Sequence, residues 1–180
     1  SDASFPRYIT AMNKILSLLA LAATGSSAMA QSPVPTFTAQ DKLDAASYYH
    51  IRFKNGSVEL VDKGVNAKIS TNYGNDASAH LFALIGTRQS FVLRSKNGNY
   101  IGFQGDRLTS VKEATQALQL TLLNSPVFGE GYYVISRVDD QKNSFNPHGG
   151  TGVGKQIGFW ENADANNSLY FPLPDDVPAP

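Results

Sequence analysis

Trp160, the chain's single tryptophan, closes the run Ile157-Gly158-Phe159-Trp160, and Asn162, Asp164, Asn166 and Asn167 follow at once. With Ile157 and Phe159 turned toward a core, the two-residue period of a strand sends Gly158 and Trp160 to the opposite face. A flat indole beside a glycine is a platform for the apolar face of a pyranose. Asn and Asp side chains supply the paired donors and acceptors that fix its hydroxyls. Such a set binds a sugar without breaking a bond. The alternative is that Trp160 plugs one end of the fold while the Asn residues serve as turn formers.

Other chemistry has less support. Gly149 to Lys155 fits the spacing G-x-x-x-x-G-K of a phosphate loop, but Gln156 stands where Ser or Thr is needed, and a strand pattern follows instead of a helix. Its glycines suit a tight crossing between strands, or a ligand's approach to backbone beside Trp160. The pairs Asp139-Asp140 and Asp175-Asp176 sit in turn-like or tail contexts, G-x-S-x-G is absent, and no acid partners His148 at a recognisable spacing, so the chain is not expected to be an enzyme. There is no cysteine, and His50, His80 and His148 lie at no helical ligand spacing, so neither a metal site nor a cofactor is expected. Net charge is zero with both signs interspersed, which argues against the clustered cations that nucleic acid requires.

The elements that must position Trp160 are written in a repeat. Tyr49, Phe91 and Tyr133 open similar stretches 42 residues apart. Ile51, Leu93 and Ile135 share one register, and Arg52, Lys54, Asn55 and Gly56 recur as Arg94, Lys96, Asn97 and Gly98. Alternation through Tyr49, Ile51 and Phe53, followed by Lys-Asn-Gly, reads as strand, tight turn, strand. Each unit closes on an apolar cluster, beginning at His80, Leu118 and Leu169, which makes about four short strands per unit. One such unit cannot bury its apolar face alone. Three are expected to share a core about a pseudo-threefold axis, as an all-β β-trefoil.

The boundaries read as a leader over 1–30, a linker over 31–47, the trefoil over 48–173 in repeats 48–89, 90–131 and 132–173, and a Pro-rich tail or linker over 174–180. From Met12 the leader runs through Lys14 and the apolar stretch Ile15 to Ala23 to Ala28-Met29-Ala30, the pattern of a bacterial signal peptide cut near Ala30. Export to the periplasm, cell surface or medium is the expectation, with no membrane association after cleavage.

The third repeat runs Ser-Phe-Asn146-Pro-His148, then Ile157-Gly-Phe-Trp160, then Asn166-Asn167-Ser168-Leu-Tyr-Phe. It resembles a ricin B-type lectin repeat, with its polar loop and Asn-rich entry to the closing strand. The resemblance spans Tyr48 to Leu173 and extends to modules attached to secreted bacterial glycan-degrading proteins. The Q-x-W triplet that ends such repeats is degenerate here; Leu81-Phe82, Leu118-Gln119 and Leu169-Tyr170 stand near its place. The resemblance implies a sugar held by an acidic residue on the second strand, an aromatic after the third, and an Asn with the Gln of Q-x-W. By position these are Asn146, Trp160, Asn166 or Asn167, and Ser168, with His148 nearby; Asn146 replaces a carboxylate and Ser168 replaces Gln. Asp62, Tyr73 and His80 make a weaker lobe in the first repeat, and the second, with no aromatic after its third strand, is read as structural. The implied function is non-catalytic binding of a glycan or polysaccharide, alone or as the accessory domain of a larger glycan-active protein. A structural or protein-interaction trefoil with decayed sugar sites is the alternative.

Overall fold

The computed structural model describes residues 34–175; the leader with its signal pattern lies outside them, as do residues 176–180. Among the described residues all helical elements are single 3-10 turns, and the rest of the regular structure is strand. The first unit holds β2 (Arg52–Phe53), β3 (Val58–Val61), β4 (Ser70–Tyr73) and β5 (Phe82–Thr87), preceded by a short β1 (Phe37–Thr38). The second holds β6 (Ser90–Ser95), β7 (Tyr100–Gln104), β8 (Arg107–Val111) and β9 (Leu120–Ser125). The third holds β10 (Gly129–Arg137), β11 (Asp140–Pro147), β12 (Ile157–Glu161) and β13 (Leu169–Tyr170).

In every unit the outer two strands join a barrel and the inner two form a hairpin, which is the β-trefoil. Around the barrel run β5, β6, β9, β10, β13 and β2, and a bridge between Tyr49 and Phe82 closes the ring. The 42-residue repeat now has a physical meaning: Tyr49 lies opposite Phe82, Phe91 opposite Leu120 and Tyr133 opposite Leu169, each facing the closing strand of its own unit. These aromatics and Ile51, Leu93 and Ile135 are buried in one shared core with Phe53, Phe145 and Phe171. Each fully buried Phe contributes about 2–3 kcal/mol by removal from water. Gly56 and Gly98, at φ of +77° and +95°, let the repeated Lys-Asn-Gly turn reverse the chain.

The three hairpins are spliced to one another. Ile69 N–H donates to the Leu108 carbonyl at 3.0 Å, joining the first to the second. Thr71 joins the first to the third: its carbonyl accepts from Gly154 N–H, and its Oγ1 accepts from Lys155 N–H at 2.9 Å while donating to the Gly152 carbonyl. The glycine-rich segment is thus a crossing between strands.

Residues 34–47 correct the linker expectation. β1 pairs in parallel with β5, Phe37 beside Leu84, and the Phe37 ring meets Phe91 edge-on at 5.2 Å. Beyond it, Leu43 and Tyr48 pack on Ala83, Ile85, Tyr100 and Val111, a second apolar cluster outside the barrel. Phe37 and Leu43 have apolar surface to bury; the barrel core accepts the first and the second cluster the other. The start of the tail is also bound: the Pro172 carbonyl accepts from His50 N–H at 2.8 Å, and Asp175 N–H donates to Asp76 Oδ2 at 2.6 Å.

Candidate functional site

Strand register fixes which residues correspond among the three lobes. Arg52 pairs with Glu59, Arg94 with Tyr100 and Ser136 with Ser144, so the second strands align at Glu59, Tyr100 and Ser144. Opposite these stand Asn72, Val111 and Trp160, and two residues further along the second strands come Val61, Gly102 and Asn146. The carbonyls of Leu81, Gln119 and Ser168 accept from Lys96, Val138 and Lys54 at the same point of each barrel crossing. The residues just before them, His80, Leu118 and Asn167, therefore correspond among the three lobes.

In the third lobe Trp160 is 58% exposed at the end of β12. Its neighbour Phe159 turns inward and meets Phe145 and Phe103 edge-on. The turn Ala165–Asn167 is pinned through three consecutive side chains. Asn166 Oδ1 accepts from Asn55 Nδ2 at 3.1 Å. Asn167, fully buried, accepts from Asn146 Nδ2 at 2.7 Å and directs its own Nδ2 to the carbonyls of Trp160 and Glu161 and to Ser144 Oγ. Ser168 Oγ pairs with Ser125 Oγ at 2.7 Å and is sealed from solvent, so it meets no ligand. Asp164 caps the turn by accepting from Asn166 N–H, and Asn162 Nδ2 donates to the Gln141 carbonyl; both are structural. His148 is exposed on the adjoining loop, its N–H bonded to the Gln156 carbonyl. Gly158 is not an open platform as expected: it is buried, and a Cβ there would meet Arg107 Nη1 and the Asp106 carbonyl at 3.3 Å. What remains open is the indole; Asn146, on the same face of the β11–β12 hairpin, and Asn166, in the turn that follows β12, are half-buried. Asn146 retains its Oδ1 acceptor and a second amide N–H for a hydroxyl.

The first lobe differs from expectation. Asp62 is buried, its carboxylate accepting from Gly64 N–H, Ser95 Oγ and Asn99 Nδ2, so it ties the first unit to the second instead of facing a ligand. Tyr73 is 68% exposed at the end of β4, and His80 is buried with its Nδ1 on Glu59 Oε2 at 2.8 Å. The three do not form one site. At the lobe's centre lies an ion network that the sequence did not disclose. Glu59, fully buried, accepts from His50 Nδ1 at 2.6 Å, from His80, and from Arg52 Nε and Nη2 at 3.1 and 2.8 Å. His50 Nε2 reaches Asp76 Oδ1 at 2.8 Å. Burial alone would raise the Glu59 pKa, but hydrogen bonds from both imidazoles and the guanidinium bring it down to about 2. Burial lowers the His50 pKa, and the two carboxylates outweigh it and raise the pKa above the usual histidine value.

Gly74 roofs this network. A Cβ there would lie 2.7 Å from both Arg52 Nη2 and Glu59 Oε1, atoms held by several bonds and unable to yield cheaply. Gly74→Ala is expected to lower stability by about 1–3 kcal/mol, read as a fall in the denaturant midpoint. An unchanged midpoint would show that the network relaxes freely.

In the second lobe Tyr100, Val111, Gly102 and Leu118 replace Ser144, Trp160, Asn146 and Asn167. Leu43 and Tyr48 pack on the cluster that holds Tyr100 and Val111, Gln40 Nε2 donates to the Tyr100 hydroxyl, Gly102 faces the Gln116 carbonyl, and Leu118 packs on the barrel core. A concavity of about 260 Å³ near Leu118 is lined by Gln119, Arg137, Val138 and Asp139. There Arg137 is already paired with Asp139 at 3.2 Å and stacked over Phe103.

No family model and no curated relative matches the sequence. Solved structures do. The chain is similar to the Macrolepiota procera ricin B-like lectin in complex with lactose, at 17% identity and TM-score 0.62, covering 74% of this chain and 99% of that one. It is similar to the designed three-fold symmetric protein ThreeFoil at 12% identity and TM-score 0.57, over 70% and 98% of the two chains. It also resembles part of a GlcNAcα1-4Gal-releasing endo-β-galactosidase from Clostridium perfringens, at 18% identity and TM-score 0.56, over 69% of this chain and 32% of that one. At these identities the likeness establishes the architecture, a β-trefoil of the kind found in ricin B-like lectins.

Proposed function

We propose that this chain is an exported, non-catalytic glycan-binding module whose working site is the third lobe, built on Trp160 with Asn146 and Asn166. One observation carries the reading: an indole more than half exposed on a strand whose neighbouring turn is pinned from three sides. Asn167 acts as a positioning residue, holding Asn146 from behind. The signal pattern over 12–30 would deliver the module outside the cytoplasm. The likeness to a third of an endo-β-galactosidase supports a role as the accessory domain of a glycan-active protein.

Only the third lobe is arranged to bind, which makes stoichiometry the test. Titration of the full chain with the best ligand from a glycan array should give one site per chain. Affinity should be weak, around millimolar or near −4 kcal/mol, as suits a single shallow contact that relies on tethering. Two or three equivalent sites would contradict the closure of the other lobes. The buried ion network of the first lobe and the apolar residues that fill the second favour the rival reading of a trefoil with decayed sugar sites. That reading requires that no saccharide on the array perturbs Trp160 fluorescence.

A further inference from the structure

Beside the third lobe lies a cationic aromatic surface that the sugar site does not use. Phe128, on the loop between β9 and β10, meets Tyr132 at 5.8 Å, and Tyr132 meets Tyr170 edge-on at 6.0 Å. Lys54 stands over this row, its Nζ 4.4 Å from the Phe128 centroid and 5.5 Å from that of Tyr132. Lys54 is half-buried, yet among the described residues no carboxylate lies within 4 Å of its ammonium and no acceptor is bonded to it. Cation–π contacts occupy the ring side of an ammonium and leave its N–H groups directed elsewhere.

This surface is coupled to Trp160 through a single rigid turn. Ser168 bonds Ser125 Oγ, which in turn accepts from the N–H of Val127 and Phe128 at 3.2 and 3.0 Å, fixing the loop that presents Phe128. Asn166 bonds Asn55, the residue after Lys54, and the Lys54 N–H donates to the Ser168 carbonyl. Asn167 holds the backbone of Trp160 itself. Three consecutive residues therefore set the indole on one side of the turn and Lys54 with its aromatic row on the other.

We propose that the Lys54–Phe128–Tyr132 surface is a second subsite, joined to the Trp160 site through the turn at residues 166–168, that accepts a further sugar residue bearing a carboxylate or sulfate. The inference rests on the glycan-binding reading above. The ammonium, held over the Phe128 and Tyr132 rings, meets the anionic substituent, and the ring edges border the sugar that carries it. A partly desolvated charge-assisted contact of this kind corresponds to a preference of about tenfold for the acidic oligosaccharide over its neutral parent.

The test uses the full chain and an array of matched oligosaccharides in neutral, sulfated and carboxylated forms, followed by titration of the leading pair. The proposal requires tighter binding of the acidic forms, weakening as salt rises. Lys54→Met, which keeps the apolar stem over the rings, should abolish that preference while leaving affinity for the neutral parent unchanged; the sulfated and carboxylated arms tell which anion is preferred. Trp160→Ala should remove binding of both forms. Equal affinity for neutral and acidic forms, or an acidic preference that survives Lys54→Met, overturns the subsite and leaves the Trp160 site standing. If no form binds, or binding is indifferent to Trp160→Ala, the underlying reading fails and the subsite with it.

Discussion

Trp160→Ala is expected to weaken glycan binding by about a hundredfold while leaving the melting temperature almost unchanged. Truncating an aromatic that forms the main apolar contact of a small site costs about 2–4 kcal/mol of binding, and for a millimolar site such a loss removes measurable affinity. Stability should hold because the side chain is 58% exposed and its contribution to the fold runs through the backbone, whose carbonyl still receives Asn167 Nδ2. The chain contains one tryptophan, so its emission reports on this site alone and ligand titration can be followed without a label. Glycan-array binding and scanning calorimetry on the same preparation separate the two effects. Retained binding would place the site elsewhere; a large fall in melting temperature would make the indole a structural plug.

The second large effect concerns Glu59. Glu59→Ala leaves the Arg52 guanidinium and the His50 and His80 rings buried without their shared acceptor, which is expected to cost about 3–5 kcal/mol. The same network sets a pH profile. The folded Glu59 pKa of about 2 lies below its usual 4.5, so its contribution is complete above 4.5 and is lost as pH falls through 2, amounting to about 3 kcal/mol. His50 is shifted the other way: raised above 6.5, it contributes fully below 6.5, and that contribution is lost as pH rises through the folded value. This part of stability is therefore greatest between about pH 4.5 and 6.5, by linkage of the two groups. Melting temperature against pH should show that maximum, and His50→Gln should remove the alkaline decline while keeping the acid one. An alkaline decline that survives in His50→Gln would assign it to another group.

Much of this was legible in the chain because barrel positions repeat. Tyr49, Phe91 and Tyr133 each meet the closing strand of their own unit, and a contact made three times leaves a period. Trp160 was legible by alternation along β12, where Ile157 is buried and the indole emerges three residues later. Asn167 is named by sequence among the site residues, but its burial behind Asn146 and the sealing of Ser168 are not, because β13 spans only Leu169–Tyr170, too short for its alternation to tell inside from outside. The Glu59 network was invisible for a different reason. Its members lie on and just before β2, on β3, and in the segment between β4 and β5, joined by strand pairing that leaves no spacing signature, and histidines read by helical spacing give no hint of it. Residues 34–47 read as linker because they lie before the first repeat, whereas Phe37 packs against the barrel core and Leu43 against the second cluster, surfaces that form only on folding.

The bridge from Tyr49 to Phe82 and the pairing of Leu169 with Phe53 mean that the barrel's seam joins almost the first strand of the domain to its last. β2 and β10 gain their shared neighbour only when the final strand has arrived, so a nascent or truncated chain that stops short of Leu169 presents bare hydrogen-bonding edges on both sides of a gap. The indole of the third unit is thus carried by a barrel whose closure waits on the short strand Leu169–Tyr170.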